Sequence, residues 1–148
     1  MKKLLLIVAP LIAPVVTLIP AAFLFDAPVA AQVIVIANPS VKAASVSKAE
    51  LRDVFTGASS SLNDGSRVVP VLLKQGATHT DFLSAYLGKN DAALRTGWRG
   101  LVFSGQAVMP KSLDSEAAVV EYVAHTSGAL GYINTATPHD GVKVLTVQ

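Results

Sequence analysis

Lys74, Thr78, His79 and Thr80 fall within seven residues of one another, in the turn KQGATHT (74–80), directly after the apolar run 68–73. That is a cation, two hydroxyls and an imidazole around one flexible glycine, Gly76, at the start of a helical pattern. A helix start has unpaired backbone N–H groups and partial positive charge, so it receives anions. The chemistry open to this turn is therefore the holding of phosphate or a related oxyanion. A second use of the same residues fits the spacing and is the commoner one: Thr78 followed three residues later by Asp81 is a helix cap, in which the hydroxyl serves the helix's own N–H groups. Other reactive sets are weaker. His79, His125 and His139 lack the spacing of a metal pair on one helical face, and His79 and Asp81, at i and i+2, point apart. No metal site is expected. The serines 59–61 and Ser127 lie in no Gly-x-Ser-x-Gly elbow, and Asp64 in Asn-Asp-Gly reads as a turn residue, so no enzyme and no cofactor is expected.

The elements that must position the turn follow from periodicity. Residues 33–37, VIVIA, form a continuous apolar run, as in a strand covered on both faces. Ser47 and Glu50 make a capping box ahead of Leu51, Val54 and Phe55, and Gly57 stops that helix. SSSLNDGS (59–66) is a polar turn. The strand 68–73 and a helix carrying Phe82, Leu83, Tyr86 and Leu87 flank the reactive turn. A further helix, 91–103, places Leu94, Trp98, Leu101 and Val102 on one face. Trp98, Phe103 and Tyr122 read as core residues; Arg95 and Arg99, i and i+4, read as a solvated pair or a small patch for acidic ligands. Residues 105–111 read as a loop. Asp114 or Ser115 then caps a helix with Val119, Val120, Tyr122 and Val123, with His125 complementing the dipole at its end. Residues 129–133 and 142–147 complete the pattern as strands. Strands alternating with helices predict an α/β domain: a three-layer sandwich around a largely parallel or mixed sheet.

The chain opens with Lys2 and Lys3, then an apolar run over 4–25, then DAPVAAQ, where Val29 and Ala31 precede Gln32 as small residues precede a cleavage site. Residues 1–31 are expected to be a secretory signal, with a retained N-terminal anchor as the alternative, and the folded part is expected to be periplasmic or secreted. Residues 32–148 then form one domain of ordinary size. Without Lys2, Lys3 and Asp26 the remainder has ten basic and nine acidic residues. That balance supplies no basic face and argues against nucleic acid as a partner. There is no cysteine, which excludes disulfides and thiolate chemistry.

Glu50-Leu-Arg-Asp-Val-Phe-Thr-Gly57, Asn63-Asp-Gly65, residues 68–82, Gly97-Trp98 through Phe103-Ser-Gly105, and the helix carrying Tyr122-Val123 that runs into Gly128-Ala-Leu-Gly-Tyr-Ile133 occur in one order along the chain. In that order they resemble the substrate-binding proteins of phosphate ABC transporters, in particular small single-lobe relatives. The resemblance implies one lobe of a type II periplasmic binding protein. In the family, the turn after the strand carries an arginine and a Ser-Gly-Thr that bind phosphate. Lys74 falls at the arginine, Thr78 at the serine and Thr80 at the threonine, while His79 replaces the glycine. Lysine lacks arginine's bidentate fork, and a side chain at His79 obstructs close backbone approach. No counterpart of the family's other lobe is visible, and one lobe cannot close as a hinged trap.

Two functions follow. The first is an exported solute-binding module linked to phosphate ABC transport, with Lys74, Thr78, His79 and Thr80 on the oxyanion and a transporter permease or other envelope protein as partner. A homodimer would supply a second wall. The alternative is a ligand-free interaction or accessory domain of the cell envelope.

Overall fold

The computed structural model describes residues 32–148, so the expected signal or anchor over 1–31 lies outside the described residues. Strand β1, Val33–Ala37, is buried along nearly its whole length, as its β-branched run requires. After it come β2 (Ser45–Val46), helix α1 (Lys48–Thr56), β3 (Val69–Leu73) and α2 (Ala77–Phe82), which runs straight into a π-helical turn, Leu83–Leu87. The chain continues through α3 (Asp91–Phe103), β4 (Lys111–Leu113), α4 (Glu116–His125), β5 (Ala129–Asn134) and β6 (Lys143–Val147). The strands form one six-stranded sheet in the order β2-β6-β1-β5-β3-β4. β1 is antiparallel to both its neighbours, and the other pairs are parallel.

Helices cover both faces. Tyr132 of β5 meets Phe55 of α1 and Phe82 of α2, whose ring stacks on it at 3.9 Å. Its neighbour Gly131 faces the other way, where a Cβ would come within 2.9 Å of Val119 and 3.2 Å of Val123 on α4. Gly131 therefore lets α4 lie close on the sheet. Among the described residues, the strands and helices enclose one buried core. The expected three-layer α/β architecture is present.

Local signals hold where they are strong. Ser47 and Glu50 form the full capping box, and the second Glu50 oxygen accepts the Asn63 N–H at 2.8 Å, tying α1 to the 59–66 turn. These backbone donors, Ser47 first, hold the Glu50 carboxyl below its ordinary pKa. Ser115 caps α4. Gly57 ends α1 in the left-handed region, and a Cβ there would strike Leu101 of α3 at 2.4 Å. Three readings are corrected. The edge strands β2 and β4 were not foreseen, because two or three residues carry no periodicity. Phe103 is not in the core but 90% exposed, one turn beyond the part of α3 that packs. Arg95 is not a solvated partner of Arg99: it turns inward to Asp91 and to the carbonyls of Leu73 and Lys74.

Candidate functional site

The parallel strands β3, β4 and β5 end at one edge of the sheet, at Leu73, Leu113 and Asn134. From there α2 leaves over one face and α4 over the other, so the two helix starts diverge. In open α/β sheets this is where ligands bind. A cleft of about 350 Å³ lies there, lined by Gln75, Gly76, Thr78, Asp114, Ser115 and Glu116 among others.

The reactive turn sits at this cleft, but its parts do not all face it. Lys74 is exposed and pairs with Asp114 at 2.9 Å. Thr78 opens on the cleft and donates its hydroxyl to Glu116 at 3.1 Å. Glu116 also accepts the Asn134 N–H and, at 3.1 Å, the Thr137 hydroxyl, and so joins the start of α4 to the end of β5. Thr80, two residues beyond Thr78, bonds back to the Gly76 carbonyl at 3.2 Å and lines a neighbouring hollow with Ser84, Lys89 and Asp91. The helical step between 78 and 80 separates the two hydroxyls.

Thr78 does not cap α2. The N-cap is Gly76 at φ 112°, with no side-chain capping bond, whereas Ser47, Asn90 and Ser115 cap α1, α3 and α4. The capping alternative is thus corrected: Thr78 lies inside the first turn, and its hydroxyl is directed to Glu116.

His79 is the largest revision. The residue is 2% exposed and its ring is turned into the core. Nδ1 lies 2.5 Å from the Tyr132 hydroxyl and Nε2 lies 2.7 Å from Asp91. The Tyr132 hydroxyl accepts the Leu73 N–H at 3.0 Å, and Nδ1 is the acceptor within reach of its own proton; in that tautomer Nε2–H donates to the carboxylate. Burial first of all raises the Tyr132 pKa, which keeps that proton in place. Asp91 in turn accepts both bonds of Arg95 Nε at 3.0 Å, and Arg95 reaches Ser112 and the two carbonyls after β3. This network ties α2, α3, β3, β4 and β5 together behind the turn. With both ring nitrogens engaged inward, His79 can offer a ligand only its backbone N–H. The same inward orientation leaves the backbone at the helix start unobstructed.

Burial raises the Asp91 pKa, but the His79 and Arg95 bonds outweigh it, and the net shift is downward. A carboxyl depressed by folding stabilises above its ordinary pKa of about 3.9 and loses that contribution as pH falls through the folded value. Asp91→Asn is therefore expected to lower stability at pH 7 and to flatten its decline at acid pH. Urea midpoints measured from pH 7 to pH 2 check this; an unchanged pH slope would remove Asp91 from the acid response.

Sequence reasoning missed Asp91, Arg95, Tyr132 and Glu116. The i, i+4 spacing of Asp91 and Arg95 was a readable signal of their pairing. Nothing local marks Tyr132 or Glu116.

No family model matches the chain, and no curated protein matches it. Solved structures do. A phosphate ABC transporter substrate-binding protein from Clostridium perfringens, determined with bound phosphate, is 18% identical with a TM-score of 0.60, over 78% of this chain and 44% of that one. An ABC-type phosphate transport receptor from Vibrio cholerae is 14% identical with a TM-score of 0.60, over 78% and 46%. PstS from Borrelia burgdorferi is 13% identical with a TM-score of 0.52, over 79% and 47%. The chain spans less than half the length of each. The likeness is one of fold: over most of its described length this mixed α/β domain is similar to just under half of each of these substrate-binding proteins.

Proposed function

We propose that the chain is an exported solute-binding module linked to phosphate ABC transport, holding phosphate or a related oxyanion at the start of α2. The observation that carries this reading is the uncapped α2 start, placed at the cleft where the parallel strands end. Lys74 swings from the exposed Asp114 to the ligand, the Thr78 hydroxyl turns to it from Glu116, and the backbone N–H groups of the first turn, His79's included, complete the donors. Thr80 contributes through the helix turn it holds rather than by direct contact. Asp114 and Glu116 favour an oxyanion that still carries a proton: monohydrogen phosphate can donate to a carboxylate, and sulfate cannot. A permease or other envelope protein is the natural recipient, and a homodimer with two clefts facing would supply a second wall. Among the described residues no helix is long and apolar enough to cross a membrane. The export assignment rests on the composition of residues 1–31.

Calorimetry on residues 32–148 tests the reading. Phosphate is expected to bind with a Kd on the order of millimolar or somewhat below, the range of a small ligand held from one side. Lys74→Ala is expected to weaken it about tenfold or more, the loss of one charge-assisted bond. Thr78→Val should weaken it as well, Thr80→Ala much less, and sulfate should bind worse than phosphate. The ligand-free interaction domain is favoured by one observation, that Lys74, Thr78 and Thr80 all have protein partners already. Absence of phosphate heat up to tens of millimolar would decide for it.

A further inference from the structure

The end of the sheet opposite the cleft carries a separate feature. α3 runs from Asp91, beside His79, away to Phe103, and the loop after it returns through Val108 and Met109 to β4. Phe103 is 90% exposed and Val108 is 87% exposed, with Val102, Met109 and Val69 of the β3 start also exposed. β3 spans its five residues between this patch and the cleft, a separation of about 15 Å. The patch is thus remote from the proposed ligand site and independent of it.

We propose that this apolar tip inserts into the interfacial layer of an anionic lipid bilayer. Its shape is that of side chains standing clear of the surface on a helix end and a short loop, which suits penetration between headgroups. The segment that carries most of it, residues 92–113, contains Arg95, Arg99 and Lys111 and no acidic residue. Arg95 is occupied by Asp91, whereas the exposed Arg99 and Lys111 form no ion pair among the described residues. Arg99 precedes Phe103 by one helical turn and Lys111 follows Met109 by two residues, so along the chain a cation stands before and after the exposed apolar residues. Apolar side chains with basic flanks match acyl chains beneath acidic headgroups. A second copy fits less well, because an isologous contact through this patch would bring like cations together.

Flotation of residues 32–148 with vesicles tests this without the apolar residues 4–25. The expected result is binding to phosphatidylglycerol/phosphatidylethanolamine vesicles and weak or no binding to phosphatidylcholine vesicles. Phe103→Ser with Val108→Ser should lower the partition at least about tenfold, and Arg99→Glu with Lys111→Glu about thirtyfold or more. Both pairs are on the surface, and circular dichroism is expected to be unchanged. Failure of the wild type to float, or flotation untouched by the Phe103 and Val108 substitutions, would overturn the proposal. So would a concentration-dependent dimer in analytical ultracentrifugation that the same substitutions abolish, which would assign the patch to a second copy.

Discussion

Phe82→Ala is expected to lower the free energy of unfolding by about 3–5 kcal/mol, the range for emptying a buried aromatic site. Phe82 is fully buried and stands at the centre of the aromatic cluster. It stacks on Tyr132 with planes 3° apart, meets Phe55 edge-on at 4.9 Å and lies 5.5 Å from Tyr86. Such pairs add about 0.5–1.5 kcal/mol beyond their area. Against a domain stability of about 5–15 kcal/mol, that loss removes a large share of the total. Phe82→Leu keeps most of the volume and should cost much less. Trp98, the chain's single tryptophan, is buried and reports the transition by fluorescence. A loss below about 1 kcal/mol for Phe82→Ala would mean that the cluster collapses to fill the site.

His79→Ala is expected to cost about 3–4 kcal/mol, for a different reason. Removing the imidazole leaves the fully buried Tyr132 hydroxyl without an acceptor, a penalty of about 1–3 kcal/mol, and leaves a cavity besides. Asp91 suffers less, since Arg95 and solvent still serve it. Tyr132→Phe attacks the same bond from the other side and also strips the Leu73 N–H of its acceptor. The two substitutions share one interaction, so the double variant should cost less than the sum by about 0.5–3 kcal/mol. Urea denaturation of the four proteins measures that coupling. Additive losses would show that His79 and Tyr132 act separately. A His79→Ala protein of unchanged stability that had lost phosphate heat would return the imidazole to the ligand.

These two residues show how far the sequence could be read. Phe82 is recognisable as core from helical spacing with Leu83 and Tyr86, because the face of an amphipathic helix is set by near neighbours. His79 stands in the same helical segment, yet its spacing placed it with the polar residues at the turn's mouth. What draws it inward is Tyr132, 53 residues away, and Asp91 on the next helix. Phe103 errs in the opposite direction: it continues the apolar pattern of α3, but the body that packs on α3 ends near Leu101, where Gly57 approaches. The shortest strands, β2 and β4, exist because neighbours offer them an edge.

The sequence by itself determined those features in which cause and effect lie within a helical turn or a short strand. These are the β-branched run of β1, the Ser47–Glu50 box, the Gly57 stop, the Ser115 cap, and the α/β alternation that follows from them. The tertiary structure alone decided which polar groups of the turn 74–80 remain available. The Thr78 hydroxyl and both ring nitrogens of His79 bond to whatever the packing brings within about 3 Å, and that distance is set by the meeting of α2, α3, α4 and β5, not by spacing along the chain. The same packing leaves α2 bare at the cleft and Phe103 bare at the opposite end of the sheet.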